Sequence, residues 1–105
     1  MKEEIRALKN DIMFIDQCIV RLTVLKEVGI VNRDKRTKSI ISDEVNEYLL
    51  DEIKSFAKNY DDDNNTVYEI TERADEYNLI GIIDSLIMYY AVKKKDSLER
   101  LFLLS

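Results

Sequence analysis

The 105-residue chain contains no proline and only two glycines, so very little in it interrupts a helix. Proline removes a hydrogen bond from the helical ladder and glycine weakens the helix, so a chain with few of either favours long helices. Apolar residues near the N-terminus recur at steps of three and four, as in a heptad repeat. They are Ile5, Leu8, Ile12, Ile15, Ile19 and Leu22. The sequence therefore predicts a long N-terminal helix over residues 3–28.

Capping signals place the other helices. Gly29 suits a left-handed C-cap for the first helix, and a polar connector over residues 30–41 follows. Ser42 precedes two acidic residues and predicts the start of a second helix, which runs to about Tyr60. The inward stripe of this helix includes Tyr48.

Two capping boxes mark the later helices. Thr66 with Glu69 predicts the start of a third helix, and Asp96 with Glu99 predicts a short last one. The third helix either runs through to Lys93 or breaks near Asn78. The fold expected is all-α, a compact bundle of four or five helices with a heptad-like N-terminal helix, in a single domain over residues 1–105.

Missing residue types exclude most catalytic machinery. Without histidine there is no Ser-His-Asp or Cys-His arrangement, and two glycines do not build a phosphate-binding loop. The single cysteine, Cys18, forms neither an internal disulfide nor a zinc cage. The sequence thus predicts a protein that is not an enzyme and needs no cofactor. An acidic N-terminus and the lack of an apolar run of about 18 residues predict a cytoplasmic protein without a membrane segment.

Charge is distributed unevenly along the chain. The net charge is −5, yet residues 42–92 hold thirteen acidic and three basic side chains between two basic ends. These charges either lie on helix faces that simply contact solvent, or they form an acidic surface that binds a basic partner protein, such as a nucleic-acid-binding protein. A pI near 4.8 argues against direct DNA binding by the chain itself.

The predicted partner-binding residues come from this acidic segment and from one tyrosine. They are Glu44, Glu47, Asp51, Glu52, Glu72, Asp75, Glu76 and Tyr89. Tyr89 is chosen because it adjoins Tyr90, and both rings cannot face the core. Four basic residues of the connector are candidate anion contacts: Arg33, Lys35, Arg36 and Lys38.

The first helix has more apolar residues than one buried face needs. Met13, Val20 and Val24 lie well rotated from the main stripe. A helix apolar around most of its girth is buried from two sides. Either it is the central helix of the bundle, or a second protomer covers it, and we expect a homodimer.

Two acidic segments offer an enzymatic alternative. Residues 43–47 read Asp-Glu-Val-Asn-Glu, and residues 72–75 read Glu-Arg-Ala-Asp. This pair resembles the Glu-Glu-x-x-Glu and Glu-x-x-Asp motifs of the all-α NTP pyrophosphohydrolases. The resemblance implies that Glu44, Glu47, Glu72 and Asp75 bind Mg²⁺, which would clamp a triphosphate and activate water.

The preferred hypothesis is a small non-enzymatic protein-binding module that inhibits or modulates a partner through its acidic helical surface. Phage- and mobile-element-encoded inhibitors and small immunity proteins share this profile of size, charge and surplus apolar surface. The magnesium-dependent hydrolase and a purely structural or assembly dimer remain as alternatives.

Overall fold

A computed structural model describes residues 2–31, 43–59, 65–75 and 77–105, which form four helices. They are α1 (Lys2–Val31), α2 (Asp43–Asn59), α3 (Thr66–Glu72) and α4 (Leu79–Leu104). The predicted all-α bundle with a long N-terminal helix is confirmed, and no strand occurs in this part of the chain. None of these helices is long and apolar enough to cross a lipid bilayer.

The two long helices, α1 and α4, are antiparallel and make the most extensive contact in the molecule. Two ion pairs define their register. Lys26 Nζ lies 2.7 Å from Asp84 Oδ1, and Lys94 Nζ lies 2.7 Å from Asp16 Oδ1. Since the first pair joins the end of α1 to the start of α4, the two helices run alongside each other for nearly their whole length. At 1.5 Å per residue, that length is about 40 Å.

The core lies where α2 and α3 cover one side of the α1–α4 pair. Its fully buried side chains come from all four helices: Leu22, Leu49, Ile53, Val67, Leu79, Ile83, Leu86 and Tyr90. Burying each such side chain contributes about 1.5–3 kcal/mol before the cost of ordering the chain. The short α2 and α3 therefore stabilise only one half of the long pair.

The other half of the α1–α4 pair extends beyond this core. Among the described residues, no buried side chain of α1 precedes Leu8 and none of α4 follows Tyr90. Near the end of α4, Phe102 and Leu103 are 79% and 82% exposed. The molecule is accordingly elongated, at 55 × 22 × 16 Å.

Two predicted helix boundaries are wrong, at Gly29 and at Thr66. Gly29 lies inside α1 with a negative φ, because it continues the inward face after Leu25 and takes part in packing. Thr66 does not cap α3: Asn65 is the N-cap, its φ is 55°, and its carbonyl accepts the Glu69 N–H at 2.9 Å. Asparagine tolerates this left-handed conformation, so the chain enters the helix one residue earlier than predicted.

The chain breaks near Asn78, as one of the two alternatives predicted, and α4 begins at Leu79. No separate last helix starts at Asp96, however, because α4 continues unbroken to Leu104. The inward apolar repeat continues through half-buried Leu101, so the last turns pack along α1 rather than folding away.

Candidate functional site

The predicted acidic surface is clearest on α2. Glu44, Glu47 and Asp51 are exposed and, at steps of three and four, share the solvent face of the helix. Tyr48 was predicted to point inward, but it is 52% exposed beside these acids. The buried stripe runs instead through Asn46, Leu49, Ile53 and Phe56, which turns Tyr48 outward. We call Glu44, Glu47, Tyr48 and Asp51 the acidic face.

The carboxylates of Glu44, Glu47 and Asp51 form no ion pair with any basic side chain among the described residues. Their charge is therefore available to a partner. The same helix face continues toward the C-terminus with Lys54 and Lys58, so the acids occupy its first half. Acids near a helix N-terminus also complement the helix dipole, which makes their position locally favourable.

Glu52 has a different environment. Its carboxylate pairs with the guanidinium of Arg21 on α1. The Arg21 guanidinium also lies 5.1 Å from the centre of the Phe56 ring, a cation–π distance. Arg21, Glu52 and Phe56 thus join α1 to α2. This role could not be read from the sequence, because Arg21 and Glu52 are 31 residues apart.

Glu72 and Asp75 lie apart from the acidic face. Glu72 lines a hollow of about 310 Å³ between α2 and α3 together with Lys54 and Lys58, so its surroundings are of mixed charge. Asp75 shapes the turn before α4: its Oδ1 accepts the N–H groups of Tyr77 at 2.8 Å and Asn78 at 3.1 Å. In return, Asn78 Oδ1 accepts the Asp75 N–H at 2.8 Å. The Asp-x-x-Asn spacing was the sequence signal for this turn.

The four acids of the magnesium alternative do not come together. Within residues 2–31, 43–59, 65–75 and 77–105, no three acidic or cysteine side chains are close enough to hold a metal ion. Glu44 and Glu47 lie on the acidic face, whereas Glu72 lines the hollow between α2 and α3 and Asp75 accepts backbone hydrogen bonds. The arrangement therefore gives no support to the hydrolase alternative.

Tyr89 is half-buried and packs against the core beside fully buried Tyr90, with the two ring centres 5.4 Å apart. Lys93 Nζ lies 5.6 Å from the centre of the Tyr89 ring. The acidic face thus includes exposed Tyr48 and not Tyr89. Glu76 and the connector residues Arg33, Lys35, Arg36 and Lys38 lie outside the described residues.

Cys18 is buried in the core. Burial raises the pKa of its thiol, and a hydrogen bond with Tyr90 and the charge of Arg21 offset part of this shift. A raised pKa keeps the thiol protonated near neutral pH, which is the opposite of what a cysteine nucleophile needs. The structure thus gives Cys18 a packing role.

A scan against models of known protein families found no match, and neither did searches of curated proteins and of solved structures.

Proposed function

We propose that this protein is a non-enzymatic protein-binding module that inhibits or modulates a partner protein, and that it contacts this partner through the acidic face of α2. One observation carries the proposal: Glu44, Glu47 and Asp51 are exposed together, are unpaired with any described base, and flank an exposed tyrosine. Exposed carboxylates alone are typical of any helix face that contacts solvent. The tyrosine adds the amphipathic contact area that is typical of protein interfaces.

The chemistry of this face defines the partner. Glu44 and Asp51 are seven residues apart, so the three carboxylates span about 10 Å of helix. A complementary surface carries arginine or lysine at a similar spacing with an apolar site for the Tyr48 ring. Nucleic-acid-binding proteins present such basic surfaces, and opposite charges accelerate encounter at low ionic strength. A negative face repels nucleic acid itself, so the proposed partner is protein.

The test is affinity capture from the native host with two matched double variants. Glu47→Lys with Asp51→Lys reverses the acidic face, and Glu69→Lys with Asp96→Lys makes the same charge change at exposed residues of α3 and α4. Quantitative mass spectrometry identifies proteins that the wild type captures, and calorimetry then measures their affinity. We expect the first variant to weaken binding at least tenfold and the second to leave it within about twofold. Circular dichroism establishes that both variants remain helical.

Equal binding by the wild type and the Glu47→Lys, Asp51→Lys variant would refute the acidic face as the contact surface. A Tyr48→Ala variant separates the contribution of the aromatic ring from that of the carboxylates, because it removes the ring and keeps the charge. It should weaken binding without changing the dependence on salt, whereas the charge reversal should remove that dependence.

A further inference from the structure

The exposed charges of α2 follow one line along the helix and change sign halfway. Lys54 and Lys58 continue the three carboxylates of the acidic face at the same steps of three and four. Glu44 and Lys58 are 14 residues apart, so this line is about 21 Å long at 1.5 Å per residue. Neither lysine forms an ion pair with a carboxylate among the described residues. The line is thus negative in its first half and positive in its second.

The positive half borders the hollow between α2 and α3. The lining of this hollow is largely apolar and includes both lysines: Lys54, Ala57, Lys58, Tyr68, Thr71 and Glu72. Its volume of about 310 Å³ is at the lower end of the range for ligand pockets, about 300–1,000 Å³. The hollow therefore suits one large side chain rather than a whole ligand, and the anchor residues of protein interfaces fill recesses of this kind.

The order of the charges alone does not identify a partner, because acids early and bases late in a helix also complement the dipole of that helix. The hollow is the independent observation. A partner can bury an apolar side chain in it and pair its own charges along the line beside it. This combination of an anchor and flanking charges is how amphipathic helices bind to helical surfaces.

We propose that the partner protein docks an amphipathic helix antiparallel to α2 along this line and places a large apolar side chain in the hollow. This inference rests on the proposed function and deepens it, since it states which part of the partner meets α2. The basic residues of the docked helix meet the acidic face, and its acidic residues meet Lys54 and Lys58. The apolar anchor lies near these acidic residues, because both lysines line the hollow.

The antiparallel direction follows from the helix dipole. Acids in the first turns and bases in the last turns are the favourable order in any helix. A helix with that order meets opposite charges along its whole length only when it runs antiparallel to α2. A parallel helix would need bases first and acids last, which is unfavourable for its own dipole.

A second copy of α2 is a poorer occupant than a different protein. Antiparallel pairing of two α2 helices about the middle of the line brings Asp51 of one copy against Asp51 of the other. Like charges placed together disfavour such a pair. A partner helix with a lysine or arginine at this level has no such repulsion.

The first test reverses the positive half of the line. Lys54→Glu with Lys58→Glu leaves the acidic face intact, and Lys9→Glu with Lys95→Glu makes the same charge change at exposed residues of α1 and α4. Calorimetry measures the Kd of the partner protein that the wild type captures. We expect the first variant to weaken binding at least about tenfold and the second to leave it within about twofold.

The second test removes one wall of the hollow. Tyr68→Ala deletes a ring that is 55% exposed on α3, and the control Tyr77→Ala deletes a ring that is 80% exposed before α4. The first variant should weaken binding about fivefold or more, because the anchor loses an apolar contact, and the second should leave it within about twofold. Circular dichroism establishes that all these variants remain helical.

The third test determines the direction of the docked helix. A carbodiimide joins a carboxylate to an amine that it contacts, and mass spectrometry then identifies the linked residues. Partner carboxylates should link to Lys54 or Lys58, and partner lysines should link to Glu44 or Glu47. The linked carboxylates should precede the linked lysines by about 7–14 residues in one segment of the partner. A synthetic peptide of this segment should bind at least about tenfold more tightly than a peptide of the same composition with its charges in the opposite order.

The outcomes separate this inference from the proposed function. If reversal of the acidic face weakens binding but either the lysine variant or Tyr68→Ala binds like the wild type, the docked helix is refuted and the acidic face stands. If reversal of the acidic face has no effect, the proposed function itself fails. Linked lysines that precede the linked carboxylates would overturn the antiparallel direction. Links to separate segments of the partner would overturn a single helix, and links between two copies of this chain would make the second copy the occupant.

Discussion

The contact of Arg21 with α2 makes a quantitative prediction about how α1 and α2 are held together. Arg21 pairs with Glu52 and lies 5.1 Å from the centre of the Phe56 ring. The paired side chains are 48% and 29% exposed, so solvent screens the pair and its contribution is about 0.2–1 kcal/mol. The cation–π contact adds about 0.5–1 kcal/mol. Arg21→Ala should therefore lower the free energy of unfolding by about 1–2 kcal/mol.

A double-mutant cycle separates the two contributions. Urea unfolding, followed by circular dichroism at one protein concentration, is measured for Arg21→Ala, Glu52→Gln and the double variant. The coupling energy should be about 0.5 kcal/mol at low salt and should approach zero at about 1 M salt, where the Debye length is about 3 Å. Arg21→Lys should keep part of this coupling but lose the planar contact with Phe56.

The control is Arg6→Ala, which removes an exposed arginine from the part of α1 that lies beyond the core. This variant should change the free energy of unfolding by no more than about 0.5 kcal/mol. If Arg21→Ala costs no more than Arg6→Ala, or if the coupling energy is zero at low salt, Arg21 does not join the two helices. Glu52 would then be available to a partner in the same way as the acidic face.

Three further residues give separate predictions. Asp75→Ala should lower the free energy of unfolding by about 1 kcal/mol, because two backbone N–H groups lose their acceptor, whereas Asp75→Asn keeps an acceptor and should cost less. Asn65→Ala should cost about 1 kcal/mol in urea unfolding because its φ is 55°, while Asn65→Gly should be neutral or stabilising. The Cys18 thiol should react with a thiol reagent at neutral pH only as fast as the chain unfolds. Because burial raises the pKa of the Cys18 thiol in the folded state, its contribution to stability is present below the ordinary thiol pKa and is lost as the pH rises through the folded value. Cys18→Ala should therefore weaken the loss of stability that the wild type shows at alkaline pH.

The helices were predictable because they depend on local spacing. The apolar residues of α1 recur at steps of three and four, which predicts a helix, and Ile15 and Leu22 among them are buried. Helix ends were predicted less well, because capping competes with packing. Gly29 follows Leu25 on the inward face, so it continues α1 instead of ending it, and half-buried Leu101 continues α4 past the expected start of a last helix.

The acidic face was predicted in part. Glu44, Glu47 and Asp51 are exposed on one side of α2, as their spacing implied. The apolar residues of α2 are compatible with more than one rotation of the helix about its axis. The prediction that Tyr48 points inward is wrong for this reason. The roles of Glu52 and Glu72 depend on which helices meet, since Arg21 reaches one and two lysines share a hollow with the other. Contacts between elements that are distant in sequence are not encoded in the period of either element.

The contact between the acidic face of α2 and its partner protein is tested most directly by the ratio of two dissociation constants. Calorimetry measures the Kd of the captured partner for the wild type and for the Glu47→Lys, Asp51→Lys variant. A Kd at least tenfold higher for this variant is the predicted result, because the reversed charges repel a basic surface. Equal dissociation constants for the wild type and this variant would contradict it.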